Sequence, residues 1–410
     1  AESIARDLID HLKASGLIEQ ITVAGSFRRR KETVGDLDIL VTCNDPAAVM
    51  NHFRGYEAVV QVISSGETRS SVVLHSGVQV DLRLVPAGSY GAALHYFTGS
   101  QAHNIAVRHL GRRKGLKINE YGVFRGEKRI AGATEEEVFA QVELPYIEPE
   151  LREDHGEIQA AREQRLPQLV TVEDIRGDLH CHTDDSDGRN TLEEMAAAAE
   201  ARGYEYIAIT NHSQSLKIAG GLGPRAVRKL INRIDALNAR LKRLVVLKSM
   251  EIDILRDGRL DMPDDLLAEL DFVICSVHTD FRLPRDQQTE RILRAMDNPY
   301  FTILGHPSGR LINRRKAYDV DLVRIIEAAA QRGCHLELNA HPDRLDLDDI
   351  HCRHAKEAGV KVAISTDAHG IDHYEHMRLG VAQARRGWLE AGDVLNTRSL
   401  ADLRQLLKRK

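Results

Sequence analysis

The sequence predicts an α/β multidomain protein: a small mixed-sheet region carrying carboxylates on its strands, then a distorted (β/α)7 barrel. Three observations predict it. Acidic and apolar residues alternate early in the chain, as in D-L-D-I-L from Asp36. From residue 176 onward, seven apolar runs alternate with helical stretches, the pattern of βα units on a parallel sheet. Those runs end repeatedly in histidine or carboxylate, and 12 of the 19 histidines follow residue 175.

At about 100–200 residues per domain, 410 residues suit two or three domains. The expected division is a first compact region over 1–150, a charged linker with one short helix over 151–175, and a second compact region, the barrel, over 176–410. With 42% hydrophobic and 29% charged residues the chain is globular rather than disordered. A net charge of −5 excludes binding of nucleic acid by bulk charge, so any such contact must be local. No apolar run reaches the ~20 residues of a membrane span. The polar start A-E-S-I-A-R-D-L is not expected to be a signal peptide. It reads as the interior of an amphipathic helix, which implies that the natural protein has residues before it. Five scattered cysteines form no C-x-x-C pair, which excludes a cysteine zinc site and predicts a reducing, cytoplasmic setting.

In the first region, Ile21–Ala24 read as a strand and Gly25-Ser26 as a turn into a short helix. Asp36 and Asp38 lie two apart on the next strand and therefore project from one face, while Leu37 and Ile39 enter the core. Asp81, in V-Q-V-D-L-R-L, adds a third strand-borne carboxylate. Carboxylates held together repel unless a cation lies between them. Mg²⁺ favours one or two carboxylates plus substrate phosphates, and two ions suit phosphoryl transfer. The Gly25-Ser26 turn and the run Arg28, Arg29, Arg30 and Lys31 would receive phosphates.

Residues 21–130 resemble the catalytic palm and adjoining nucleotide-binding subdomain of the family X DNA polymerases. The resemblance rests on G-S-F-R-R-R-K-E-T-V-G-D-L-D-I-L, V-D-L-R-L-V-P, Y-F-T-G-S-Q-A-H-N-I-A-V-R and G-L-K-I-N-E-Y-G-V-F. It implies a nucleotidyltransferase-type palm with a mixed sheet over 1–85 and a nucleotide-binding subdomain over 86–150, in which Asp36, Asp38 and Asp81 are catalytic and bind two ions, Mg²⁺ or Mn²⁺, with Asp81 beside the primer 3′-OH. Gly25, Ser26, Arg29 and Gly35 would contact the triphosphate. Tyr96, Phe97, Thr98 and Gly99 would hold the sugar and reject ribose. Asn104 would read the minor-groove edge of the base, and Arg108 would lie near the templating base. Gln79 and Ile105 depart from animal members, which carry arginine and lysine there. The sequence given starts at the palm, where the family places a lyase-type domain and helix-hairpin-helix elements first.

In the second region the strand ends carry His180, His182, His212, Glu251, His278, His306, Asp367 and His369. In βα barrels such ends converge on one mouth. Imidazoles and carboxylates gathered there suit Mn²⁺, Zn²⁺ or Fe²⁺. His341 would line the mouth without binding metal. His335, His351, His354, His373 and His376 read as surface or helix positions, and residues 378–410 as a solvated C-terminal helix.

These motifs resemble the PHP (polymerase and histidinol phosphatase) family across residues 176–375. The resemblance implies up to three ions, Mn²⁺ or Zn²⁺. One would take His180, His182, Glu251 and Asp367; the second, Glu251, His278 and His306; the third, Asp187, His212 and His369. Asp184 and Asp185 compete with Asp187 in T-D-D-S-D-G. The implied chemistry is metal-assisted hydrolysis of a phosphoester, with Arg310 and Arg344 as candidate phosphate or DNA contacts.

A family X palm joined to a PHP barrel is the layout of the bacterial and archaeal PolX repair polymerases. The expected function is template-directed nucleotide addition at short DNA gaps, with a Mn²⁺-dependent 3′–5′ exonuclease in the barrel. Abasic-site endonuclease and 3′-phosphatase activities are further expectations for the barrel. The implied partners are gapped or 3′-recessed duplex DNA and a dNTP, the place cytoplasmic and nucleoid-associated, with Arg112, Arg113, Lys114 and Lys117 along the duplex. Two alternatives remain. The palm could be a non-catalytic DNA-binding module serving a phosphoesterase that acts on DNA ends, or the barrel could hydrolyse a small phosphomonoester.

Overall fold

The computed structural model describes residues 2–408. Two compact units divide the chain, residues 1–166 and 167–410.

The first unit opens with α1 (Glu2–Ala14), whose Ala5, Leu8 and Leu12 form one buried face. Then come β1 (Ile18–Val23), the single turn α2 (Gly25–Arg28), β2 (Asp36–Cys43), α3 (Pro46–Arg54), β3 (Val59–Ser65), β4 (Arg69–Leu74) and β5 (Gln79–Leu84). Helix α3 starts where Asp45 accepts a bond from the Ala48 N–H and Pro46 presets the first turn. The sheet order is β1-β2-β5-β4-β3. Only β2 and β5 run parallel, so the sheet is mixed. Leu37, Ile39, Val41, Val80 and Leu82 point to a core shared with α1 and α3. That leaves Asp36, Asp38 and Asp81 on the opposite face.

Beyond the sheet lie α4 (Tyr90–Thr98), α5 (Gln101–Arg113), the antiparallel strands β6 (Leu116–Asn119), β7 (Gly122–Arg125) and β8 (Lys128–Ala131), and α6 (Glu135–Gln141). Within the expected linker a short helix, α7 (Glu157–Arg162), does form. Part of this segment packs into the unit, while Asp154, His155 and residues 162–165 are exposed. Arg152 and Glu157 are fully buried, because their charges are met by Glu135 and His103 inside the unit.

The second unit is built on parallel strands. These are β9 (Gly177–Cys181), β10 (Tyr206–Ile209), β11 (Val245–Lys248), β12 (Glu251–Asp253), β13 (Ile274–Ser276), β14 (Ile303–Leu304), β15 (His335–Asn339) and β16 (Val362–Ser365). The third apolar run breaks at Ser249-Met250 into β11 and β12, so seven runs give eight strands. Bridges His212–Glu251 and Cys181–Ala368 close the ring between the two hydrogen-bonded sheets. Intervening helices cover the outside: α8 (Leu192–Ala201), α9 (Pro224–Asn238), α10 (Asp264–Leu267), α11 (Arg285–Met296), α12 (Leu322–Arg332) and α13 (Asp349–Glu357). A Thr191/Glu194 capping box starts α8.

The pairing of β9 with β10 shifts register between Ile207 and Ile209. Such a bulge breaks the alternation of a strand and re-aims its side chains. Leu179 accordingly packs with Ala208, Ile274, Ile303 and Ala363, whereas Cys181 packs with α8.

The tail differs from expectation. After α14 (Met377–Arg386), helix α15 (Leu400–Leu406) is not a solvated appendage. Leu395, Leu403 and Leu407 join the cluster of Leu179, Tyr206 and Ile303. Residues 409 and 410, part of the expected C-terminal helix, lie outside the described residues. His335 is a buried strand residue rather than a surface one, 8% exposed, with its Nε2 3.1 Å from the Leu406 carbonyl. Among the described residues no helix is long and apolar enough to cross a membrane.

Candidate functional site

In the first unit Asp38 stands directly opposite Asp81 on the paired strands β2 and β5, and Asp36 opposite Gln79. Asp81 is 7% exposed, its Oδ1 is buried without a hydrogen-bond partner, and Arg69 Nη2 lies 3.6 Å from its Oδ2. Burial pushes the Asp38 carboxyl up to about 6; the charges of Asp36 and Asp81 add to the rise, against Arg83 and Arg69. Three carboxylates and an unpartnered oxygen on one face are chemistry that fits a divalent cation. Gly25 is required beside them. A Cβ there would stand 2.7 Å from Asp38 Oδ2, and its φ is +62°.

Ser26 lies in α2, and Gly35 immediately precedes Asp36. Arg29 reaches across to the other predicted group: its Nη1 donates to the Thr98 carbonyl (2.5 Å) and its Nε to Glu153 (3.0 Å). Arg28 donates to Thr98 Oγ1 (2.7 Å) and pairs with Glu135. Phe97 lies under the Arg83 guanidinium, 4.2 Å from its ring centre, and meets the Tyr96 ring edge-on. Gly99 abuts Arg29. Asn104 is buried; its Nδ2 donates to the Tyr96 carbonyl (2.7 Å), while its Oδ1 has no partner. Arg108 lies one turn further along α5. Arg112 and Arg113 end α5 in the solvent, where cations complement a helix C-terminus. Lys114 is paired with Glu143.

In the second unit the predicted residues gather around Glu251, which is 1% exposed. Its Oε2 lies 3.3 Å from His180 Nε2, 3.7 Å from His182 Nε2 and 2.9 Å from His212 Nδ1. Its Oε1 lies 2.9 Å from His306 Nε2 and 3.2 Å from His278 Nε2. Asp367 Oδ1 stands 3.1 Å from His182 Nε2 and 3.5 Å from His180 Nε2. Asp187 Oδ2 stands 3.4 Å from His212 Nε2 and 3.3 Å from His369 Nε2. Its competitors are elsewhere: Asp185 pairs with Arg233, and Asp184 is exposed. Three four- and three-residue groups of metal-ligand geometry result: His182, Asp187, His212 and His369; His180, His182 and Asp367; and His212, Glu251 and His278.

Cation-binding character shows in buried ring nitrogens that lie near carboxylates without a well-aligned hydrogen bond. His180 Nε2, both ring nitrogens of His182, His212 Nδ1 and His306 Nδ1 are buried with no hydrogen-bond partner. His306 and Asp367 also hold left-handed backbone, φ 26° and 52°, strain of a kind that collects at functional sites. Burial alone would raise the Glu251 and Asp367 carboxyls, but the surrounding imidazoles hold both well below the usual range. Against burial, Glu251 with Asp187 lifts His212 to about 10, and Glu251 with Asp253 lifts His278 to about 9. Metal ligands must be deprotonated, so a cation entering here displaces protons.

The family descriptions agree with this geometry. The DNA polymerase beta palm matches residues 2–86, the DNA polymerase beta thumb residues 93–153, and the PHP domain residues 178–341. The chain is 42% identical over 410 residues to the DNA polymerase/3′-5′ exonuclease PolX of Bacillus subtilis, covering 99% of this chain and 72% of that relative. The chain belongs to the PolX family. Over the barrel of this PolX-family chain, proteins named "probable phosphatase" are also similar. One from Thermoanaerobacter sp. (strain X514) is 28% identical over 244 residues, 57% of this chain and 94% of its own length. Another, from Caldanaerobacter subterraneus subsp. tengcongensis, is 30% identical over 203 residues, 47% of this chain and 75% of its own.

The sequence reading of this PolX-family barrel missed the groups behind the imidazoles. Glu337, fully buried, lies 2.6 Å from His180 Nδ1 and accepts the His306 N–H. Asp253 pairs with His278 Nδ1. The signal was a charged residue inside an apolar strand, as in H-L-E-L-N. Of the two candidate arginines, Arg344 Nε lies 3.6 Å from Asp367 Oδ2. Arg310 instead donates to the backbone carbonyls of Arg344 and Leu345, so it braces the loop.

Proposed function

We propose that this PolX-family chain is a repair enzyme with two separate activities: template-directed nucleotide addition at the palm, and 3′–5′ exonucleolytic hydrolysis in the barrel. The observation that carries the reading is the pair of independent cation-competent clusters, one on β2 and β5, the other around Glu251. Its substrates are gapped or 3′-recessed duplex DNA and a dNTP, met in the cytoplasm at the nucleoid.

In the palm, Asp36, Asp38 and Asp81 hold Mg²⁺ or Mn²⁺. Gly25, Ser26, Arg29 and Gly35 receive the triphosphate, for which it competes with Glu153 at Arg29. Tyr96, Phe97, Thr98 and Gly99 form the wall at the sugar, and Asn104 and Arg108 lie toward the base pair. In the barrel, His180, His182, Glu251 and Asp367 hold one ion, Glu251, His278 and His306 a second, and Asp187, His212 and His369 a third, as Mn²⁺ or Zn²⁺. Such ions supply Lewis acidity, lowering the pKa of a water nucleophile and neutralising phosphate charge. Glu337 and Asp253 fix the tautomers of His180 and His278. Arg344 offers a guanidinium to the scissile phosphate. The same centre suits abasic-site cleavage and removal of a 3′-phosphate.

Paired substitutions test the reading. D36A/D38A should abolish primer extension and spare hydrolysis of a single strand; H180A/H182A should do the reverse. Loss of both activities in one folded variant would overturn the two-site reading. Hydrolysis without any extension by the unaltered chain would favour a palm that serves only to bind DNA.

A further inference from the structure

Three histidines used by none of these roles gather beside the Glu251-centred site. His341 lies two residues beyond β15, and His373 and His376 lie on the short helix Ile371–His376 that follows Asp367 and His369. One ring nitrogen from each falls within 4.8 Å of the other two. Ring centres stand 5.2 Å apart for His341 and His376, 5.7 Å for His341 and His373, and 4.8 Å for His373 and His376. The His369 ring lies 6.5 Å from that of His373, so the trio adjoins the proposed metal centre. All three are half-buried, not surface residues.

The spacing alone would admit a further metal, but the hydrogen bonds argue otherwise. The His369 backbone N–H points at His373 Nδ1 (3.3 Å), and the Asp343 backbone N–H at His341 Nδ1 (3.2 Å). A backbone N–H can only donate, so both Nδ1 atoms present lone pairs. A neutral imidazole has one lone-pair nitrogen and one N–H, which puts the proton on Nε2 of both rings. A metal ligand needs the opposite arrangement, with its outer nitrogen donating to a carboxylate or carbonyl. His180 on Glu337 and His278 on Asp253 have that arrangement in this same barrel. His341 and His373 do not.

What remains is a set of N–H donors. His376 Nδ1 is buried and has no partner. Burial holds the His341 and His376 rings below their ordinary pKa, His376 at about 4 with His373 and His341 beside it. The charged groups facing them are Arg344, Arg189, Arg378, Asp343, Asp367 and Asp372, with His369. Of the carboxylates, Asp343 is paired with Arg314 and Asp372 with Arg189. Rings with nitrogens within 4.8 Å of one another, two of them carrying N–H on Nε2, next to cationic side chains, match the oxygens of a phosphodiester.

We propose that His341, His373 and His376 form a hydrogen-bonding cradle for a backbone phosphodiester of the DNA strand, next to the one hydrolysed. The proposal rests on the nuclease reading of the Glu251-centred site and deepens it, because it assigns the barrel a second phosphate and hence a preference for polymer over mononucleotide.

The test compares two substrates: a single-stranded oligonucleotide, and the p-nitrophenyl ester of thymidine 5′-monophosphate, which has no neighbouring phosphodiester. H341F/H373F removes both donors. H341Q/H373Q restores an N–H near each Nε2 but is a poor metal ligand. The ratio of oligonucleotide to ester kcat/KM should fall about tenfold in the Phe pair, mainly through KM, and return to within about threefold of the original in the Gln pair. Bound metal, measured on both variants, should match the unaltered chain. Loss of one metal equivalent would make the trio a metal site and overturn the cradle, as would an unchanged ratio or an equal fall on both substrates. If the unaltered chain cleaves the ester but no oligonucleotide, the nuclease reading fails and the cradle with it. Should the Phe pair show no thermal unfolding transition, H341F and H373F singly carry the same test, each with a fall of about threefold.

Discussion

Glu337 Oε1 lies 2.6 Å from His180 Nδ1, and both side chains are fully buried. The second oxygen of Glu337 accepts the His306 N–H. One carboxylate therefore sets the tautomer of His180 and the backbone position of His306, two residues that both approach Glu251. Glu337→Gln keeps the shape and removes the charge. It should weaken metal binding by about 10–100-fold, read by calorimetric titration of metal-free protein with Mn²⁺, and leave primer extension intact. Unchanged affinity would show that His180 is oriented without it.

Gly25→Ala tests the palm in a different way, by volume. The added methyl would meet Asp38 Oδ2 at 2.7 Å, on a backbone with φ +62°. The conformation alone disfavours alanine by about 1 kcal/mol, and the clash must move either the turn or Asp38. Nucleotide addition should fall by about 100-fold or more, as misplacement by an ångström does at other active sites. Hydrolysis should persist. Primer extension with the thermal transition measured alongside separates a displaced carboxylate from an unfolded palm.

Much of this arrangement is legible in the sequence because it depends on local periodicity. Asp36 and Asp38 share a face since strands alternate, and the strand-end histidines converge since βα units place their C-terminal ends together. What was not legible depends on contacts distant in sequence. Glu337 is separated from His180 by 157 positions, and Asp253 from His278 by 25. The bulge that turns both Leu179 and His180 inward is a property of pairing, not of β9 itself. The histidines at 373 and 376 look like ordinary helical residues until His341 arrives from another strand. The closing helix was misread for another reason: the basic ending L-K-R-K hid the apolar stripe of Leu400, Leu403 and Leu407.

That stripe gives a stability prediction. Leu403 is fully buried among Leu179, Tyr206 and Ile303. Leu403→Ala removes packing at a site held by strands on several sides, where collapse around the cavity is limited. It should cost about 2–5 kcal/mol, seen as a lower urea midpoint for the barrel transition. A solvated helix, by contrast, would lose less than about 0.5 kcal/mol.

Glu135 provides the pH-dependent case. It is 4% exposed and paired with Arg28 and Arg152. Burial would raise its carboxyl, but the two guanidiniums outweigh burial and hold it at about 2, down from 4.5. A carboxyl depressed in the folded state stabilises the fold above its unfolded pKa, and that stabilisation disappears as pH falls through the folded one. The contribution, about 3 kcal/mol at 1.36 kcal/mol per unit, should thus be complete above about pH 5 and lost progressively between about pH 4.5 and 2. Glu135→Gln leaves Arg152 buried opposite a neutral group, so the variant should be less stable at pH 7 by about 3–5 kcal/mol. Its unfolding free energy should also lose most of the slope between pH 4.5 and 2 that the unaltered chain shows. Equal slopes in denaturant titrations across that range would mean that Glu135 does not carry the charge assigned to it.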